Sequence, residues 1–282
     1  MMTLVEMLNM RRKDMYKLIA VDMDGTLLRR DDTISKRNKE AIRKVREKGV
    51  KVVIASGRPI HGLERYLEEL EFVAEDEYVM SYNGSIVQNV KTKEVIAKNM
   101  LKGNDLHRLY ELAQRLEIDL HAFLMKGCIT PRMNEYSQLE GRMNNIPIYE
   151  MNFEEIAIDE EIIKVMYVGA PKEIDRVIRQ LPENLYKDYN VVRSMPFFLE
   201  FLSKASGKQK GIKTLAERLD IAPHEVMCIG DAGNDVEMLQ YAGLGVAMGN
   251  AFEEVKQIAD YITKTNEEDG VAYAIEKFVN VG

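Results

Sequence analysis

The chain has 282 residues, 46% of them hydrophobic and 30% charged, with 46 acidic against 39 basic side chains and a formal net charge of −7. This is an ordinary soluble globular composition with room for roughly two domains of ~150 residues, which excludes disorder and collagen-like architecture. Scattered Lys and Arg on a mildly acidic chain give no electrostatic footprint for nucleic acid, and no apolar run approaches the ~18 residues of a membrane span.

Residues 1–15 interleave charges with apolar side chains and are expected to be an N-terminal extension, not a secretory leader. Cys128 and Cys228 stand far apart with no CxxC spacing, which argues against a disulfide framework; a cytoplasmic location is expected. His61, His107, His121 and His224 share no zinc-ligand spacing.

From Tyr16 the elements become legible. Leu18 to Val21 is a continuous apolar run of the kind a strand buried on both faces shows, and it ends in Asp22-Met23-Asp24-Gly25-Thr26. Ser35 is a helix N-cap, Ala41, Ile42 and Val45 form the helix's apolar stripe, and Gly49 closes it. Val50 to Ala55 is a second buried strand, followed by Ser56-Gly57-Arg58-Pro59 and a helix with Ile60, Leu63, Leu67 and Leu70 at helical spacing. Alternating strands and helices with short connections predict a parallel, doubly wound sheet.

The middle reads as an inserted α+β segment. A hairpin over Ser85 to Asn99 leads to a helix carrying Leu109, Leu112 and Leu116, then a strand from Leu120 to Leu124 and an irregular polar stretch through Asn145. A strand from Ile162 to Val168, a helix from Pro171 to Leu181, and strands at Val191 to Arg193 and Phe197 to Leu202 follow. The α/β pattern then resumes: a helix with Ile212, Leu215 and Leu219 precedes the strand Glu225 to Ile229, which ends in Gly230-Asp231-Ala232-Gly233-Asn234-Asp235. A helix up to Gly243, the strand Leu244 to Met248, a helix near Phe252 to Ala259, the strand Tyr261 to Thr263 and a last helix complete the chain.

Ligands of an open parallel sheet bind beyond the carboxyl ends of its strands. Asp22 and Asp24, Ser56, and Asp231 and Asp235 all follow such ends. Four converging carboxylates need a hard cation before phosphate can approach, which points to Mg2+. In Asp22-x-Asp24, one carboxylate can attack phosphorus while the other moves the proton. Asn83-Gly84 fits a two-residue hairpin turn.

Asp22-Met-Asp-Gly-Thr-Leu, Ser56-Gly-Arg-Pro, a downstream lysine and Gly230-Asp-Ala-Gly-Asn-Asp together resemble the four motifs of the haloacid dehalogenase superfamily. Tyr82-Asn83-Gly84, Ala247-Met-Gly-Asn250 and the large insertion resemble its Cof-type branch, particularly YidA-like sugar phosphatases. The resemblance implies a Rossmann-like parallel-sheet core over 16–84 and 190–282, with a C2-type α+β cap over 85–189 that closes on the sheet edge. It implies Asp22 as nucleophile and Asp24 as general acid/base, and Mg2+ on Asp22, the Asp24 carbonyl and Asp231, with Asn234 and Asp235 in support. Ser56, Gly57, Arg58, Asn83, Asn234 and a lysine would meet the phosphate. Lys208 aligns better than Lys210, although Gln209 stands where glycine is usual. Among cap residues, His121, Arg132, Arg142 and Asn144 are polar candidates. The expected activity is hydrolysis of a small phosphorylated metabolite; a phosphotransferase or a phosphometabolite-binding protein would use the same fold.

Overall fold

The computed structural model describes residues 16–280, so the extension expected at 1–15 lies outside the described residues. The chain opens with β1 (Leu18–Asp22), α1 (Lys36–Glu47), β2 (Lys51–Ala55), α2 (Glu64–Glu69), β3 (Tyr78–Ser81), β4 (Ile86–Asn89) and β5 (Val95–Lys98). The middle runs through β6 (Leu101–Lys102), α3 (Gly103–Arg115), β7 (Asp119–Leu124), β8 (Gly127–Thr130), α4 (Glu135–Asn144), β9 (Ile148–Glu150), β10 (Glu161–Ile162), β11 (Lys164–Val168), α5 (Pro171–Gln180), α6 (Leu185–Asp188), β12 (Tyr189–Met195) and β13 (Phe198–Ser203). It closes with α7 (Lys208–Arg218), β14 (Val226–Gly230), α8 (Val236–Tyr241), β15 (Leu244–Ala247), α9 (Glu253–Ile258), β16 (Tyr261–Ile262) and α10 (Gly270–Phe278).

Two compact units result. Of the described residues, one contains 16–57, Glu64–Ala97 and 207–280; the other contains Arg58–Leu63 and Lys98–Ser206. The first is built on an eight-stranded sheet in the order β16-β15-β14-β1-β2-β3-β4-β5. β1 pairs in parallel with both β14 and β2, and every residue of β1 is buried, as a central strand covered on both faces requires. Strand order reverses between β1 and β14, the switch point at which such sheets open a crevice. The crossover helix α1 starts where expected, with Ser35 Oγ accepting from the Asn38 N–H at 3.1 Å.

The second unit carries a six-stranded sheet in the order β12-β13-β11-β7-β8-β9. One face packs on α3 and α5 through Leu106, Leu109, Ile174, Val177, Val165, Tyr167 and Phe201. The alternate residues His121, Met166 and Glu200 stand in register across β7, β11 and β13, so they share the opposite face.

Two local expectations change. The stretch through Asn145, expected to be irregular, contains β8 and α4; the face that α4 buries is polar, made by Ser137, Glu140 and Asn144, so it gives no apolar signal. The helix expected from Ile60 is a single turn, Ile60–Gly62, followed after Leu63 by α2. The second unit, Arg58–Leu63 with Lys98–Ser206, is divided from the first at positions other than the 85–189 expected for the insertion. β4 and β5 extend the larger sheet at one end, and β12 and β13 stay paired in the smaller one at the other.

Candidate active site

Adjacent strands β1, β2 and β14 deliver the site. Asp22 is the last residue of β1 and is buried; the chain then turns through Met23–Leu27, with Asp24 extended and Gly25 at φ 79°. A Cβ on Gly25 would lie 2.4 Å from Asp231 Oδ2, so the turn needs glycine both for its backbone angle and for the approach of that carboxylate. Thr26 donates its hydroxyl to Asp231 Oδ1 at 2.8 Å.

Asp22, Asp231 and Asp235 each bring a carboxylate oxygen to within 4.8 Å of the others. Lys208, at the start of α7, inserts a fully buried ammonium among them, 2.5 Å from Asp22 Oδ1 and 2.6 Å from Asp235 Oδ1. A lysine at a helix N-terminus opposes the helix dipole, so these two carboxylates are what hold it there. The start of α7 is fixed by close backbone packing: a Cβ on Gly84, at φ 83°, would lie 2.3 Å from the Gly207 carbonyl oxygen.

Asp235 has both oxygens engaged. Oδ1 faces Lys208, and Oδ2 accepts from the backbone N–H groups of Asp231 at 2.9 Å and Ala232 at 3.0 Å. It orients the lysine and the Asp231 backbone together. Burial pushes the Asp22 carboxyl well above its ordinary pKa and the Asp235 charge adds to that, against the pull of Lys208. Burial likewise raises Asp231 to about 6, opposed by the Thr26 hydrogen bond. Burial alone would lower Lys208, but Asp22 and Asp235 hold it above its ordinary value.

Three carboxylates against one ammonium leave an excess of negative charge in a desolvated pocket. An all-oxygen, anionic donor set of this kind fits a hard divalent cation such as Mg2+.

The structure brings most of the expected residues together, with differences. The fourth carboxylate, Asp24, is exposed and stands outside the three-carboxylate cluster, because the turn carries its side chain outward. Asn234 is exposed and donates to Asn83 Oδ1 at 2.9 Å, which ties the two motifs to each other. Ser56 is buried at the end of β2, and its carbonyl accepts from the Asn83 N–H at 2.9 Å. Asn83, at φ 54°, is also part of the connection from β3 to its antiparallel neighbour β4, so it serves as turn residue and site neighbour at once. That connection spans 82–85, longer than a two-residue hairpin loop. Gly57 belongs to the first unit and Arg58 to the second. Of the expected cap residues, His121 and Asn144 are buried within the second unit. Arg132 is exposed there and pairs with Asp119.

A family model described as haloacid dehalogenase-like hydrolase matches residues 19–275. The chain is 41% identical over 267 residues to a Bacillus subtilis (strain 168) protein named "Putative phosphatase YxeH", covering 94% of this chain and 99% of that protein. A haloacid dehalogenase-like hydrolase from Bacteroides thetaiotaomicron superposes with a TM-score of 0.83 at 37% identity, over 93% of this chain and 99% of that one. The haloacid dehalogenase subclass IIB sugar phosphatase BT4131 superposes with a TM-score of 0.77 at 28% identity, over 93% and 98% of the two chains. The chain belongs to the haloacid dehalogenase-like hydrolases. Within that family it is a phosphatase.

Proposed function

We propose that this enzyme is a Mg2+-dependent phosphatase that hydrolyses a small sugar phosphate through an aspartyl-phosphate intermediate on Asp22. The observation that carries the reading is the buried Asp22 carboxylate in contact with Lys208, with Asp231 and Asp235 alongside. A nucleophile, its counter-charge and an acidic ligand set are what phosphoryl transfer from an ester requires.

Asp22 Oδ attacks phosphorus as the bond to the ester oxygen breaks, and the Asp24 carboxyl gives that oxygen its proton. Asp24 then takes a proton from water, whose oxygen attacks phosphorus; the acyl phosphate bond breaks, and Asp22 and inorganic phosphate are released. Lys208, Ser56 and Asn83 orient the phosphoryl oxygens. Asp22, the Asp24 carbonyl and Asp231 would hold Mg2+, which when bound neutralises the carboxylates and polarises the phosphoryl group. Asp235 supports this set through the Asp231 backbone, and Asn234 through Asn83.

A sugar phosphate is favoured because the structurally similar BT4131 is named a sugar phosphatase. The test measures phosphate release from sugar phosphates, nucleotides and flavin mononucleotide, with Mg2+ and with a chelator. Sugar phosphates are expected to give the highest kcat/KM, the chelator to abolish turnover, and Asp22→Asn to lower kcat by about a thousandfold or more. An Asp22→Asn enzyme as fast as the wild type would refute the mechanism; isomerised sugar phosphate without free phosphate would make the enzyme a phosphotransferase instead.

A further inference from the structure

Asn250 stands outside the carboxylate cluster, yet its side chain ends on the turn that carries Asp24. Its Nδ2 donates to the Gly25 carbonyl at 2.8 Å, and its Oδ1 accepts from the Asn266 N–H at 2.9 Å. Asn266 is buried, and its own Nδ2 donates to the Leu28 carbonyl at 2.8 Å. The two asparagines therefore grip the turn at two points, Gly25 within it and Leu28 at its exit. Leu28 in turn closes the turn with an N–H to Met23 carbonyl bond of 2.9 Å.

The need for such a grip follows from Gly25. Glycine is required here, but its backbone is the loosest in the chain, so the peptide after it has no side chain of its own to set its plane. A trans peptide points its C=O and the following N–H in opposite directions. Holding the Gly25 carbonyl thus also aims the Thr26 N–H and sets the start of Thr26, whose hydroxyl secures Asp231. On the other side of Gly25 is Asp24.

We propose that Asn250, braced by Asn266, is a positioning residue for phosphoryl transfer. By pinning the Gly25 peptide it keeps Asp24 and the Thr26–Asp231 contact in register with Asp22. The inference rests on the phosphatase reading above. Asn250 is itself exposed, so water can replace its bond to Gly25 at little cost to folding, while the geometry it imposes is lost.

Asn250→Asp is the sharpest test, because the isosteric carboxylate keeps an acceptor for the Asn266 N–H and turns a second oxygen against the Gly25 carbonyl. Asn250→Ala removes both bonds. Both variants are expected to fold, with thermal midpoints within about 3 °C of the wild type. Their kcat should fall about 10- to 100-fold, as misplaced reacting groups do, with KM changed less than about threefold and Asp the worse of the two. Wild-type kcat in both variants, with Asp22→Asn inactive in the same assay, would overturn the inference and leave the phosphatase reading intact. An active Asp22→Asn would mark the failure of that reading instead. A drop of more than about 10 °C in both midpoints would make Asn250 a structural clamp and also overturn the proposal.

Discussion

Lys208 Nζ lies 2.5 Å from Oδ1 of Asp22, and the contact joins the end of the first strand to a helix that begins only after the whole second unit has been traversed. The same ammonium reaches Asp235 at 2.6 Å, so one cation holds residues of three chain segments at a single sheet edge. The two carboxylates hold the Lys208 pKa above the ordinary lysine value, which favours its charged form.

The competing lysine can be separated from it by substitution. Residues 208 and 210 lie about 200° apart on a helix of 3.6 residues per turn, so they cannot both face Asp22. Lys208→Met is expected to lower kcat about 100-fold or more and to destabilise the fold by ~3–5 kcal/mol, because two buried carboxylates lose their counter-charge. Lys210→Ala should keep kcat within about threefold. Phosphate release and denaturant unfolding read the two effects; a Lys208→Met enzyme with wild-type turnover would exclude Lys208 from the site.

Why that choice was open from sequence is physical. The first turn of α7 carries polar residues at 208, 209 and 210, so residue type alone does not choose among them; what does is the buried face that Lys208 shares with Gly211, Ile212 and Leu215. β1 and β2, by contrast, were legible because strands buried on both faces must be apolar throughout, and the carboxylates had to follow their ends. α4 was invisible because it buries Ser137, Glu140 and Asn144. The reach of Asn250 to Gly25 links a side chain to a backbone carbonyl 225 positions away, and no local pattern encodes such a bond. The outward turn of Asp24 was hidden for a similar reason, since the motif gives the residue type and only the Gly25 backbone gives its direction.

The second unit hides a separate charge pair. Lys164 Nζ lies 3.2 Å from Glu200 Oε1 with both side chains almost wholly buried, and Lys164 also sits 4.8 Å from the centre of the Phe123 ring. Glu200 stands opposite Met166 and reaches diagonally along the sheet face, while its Oε2 has no hydrogen-bond partner in the described structure. Removing one partner strands the other in a desolvated sheet face. Lys164→Met is expected to cost ~3–5 kcal/mol, whereas Lys164→Met with Glu200→Leu should recover to within ~1 kcal/mol of the wild type or exceed it. A double variant whose loss equals the sum of the two single losses in urea unfolding would show that the pair is not coupled.

His121 makes the same sheet face sensitive to pH. Its ring lies between Ser137 Oγ at 3.1 Å and Met166 Sδ at 3.3 Å, with Phe123 and Phe198 at its edges. Burial first, and the Lys164 charge second, hold its pKa down to about 3. The other acids on this face are Glu200 and Glu140, the latter raised by burial against the pull of Lys164. Between pH 6.5 and about 3 the unfolded chain binds a proton at His121 and the folded chain does not, so stability rises with pH across that window. The His121 contribution is complete above pH 6.5 and is lost on acidification, at a slope approaching ~1.4 kcal/mol per pH unit. Glu140 acts in the opposite sense above its ordinary range, but it is present in both chains and cancels in a comparison with His121→Gln. Wild-type unfolding free energy minus that of His121→Gln should therefore fall steadily from pH 7 to pH 4.5. A difference that stays flat across that range would mean His121 is protonated as readily inside the fold as outside it.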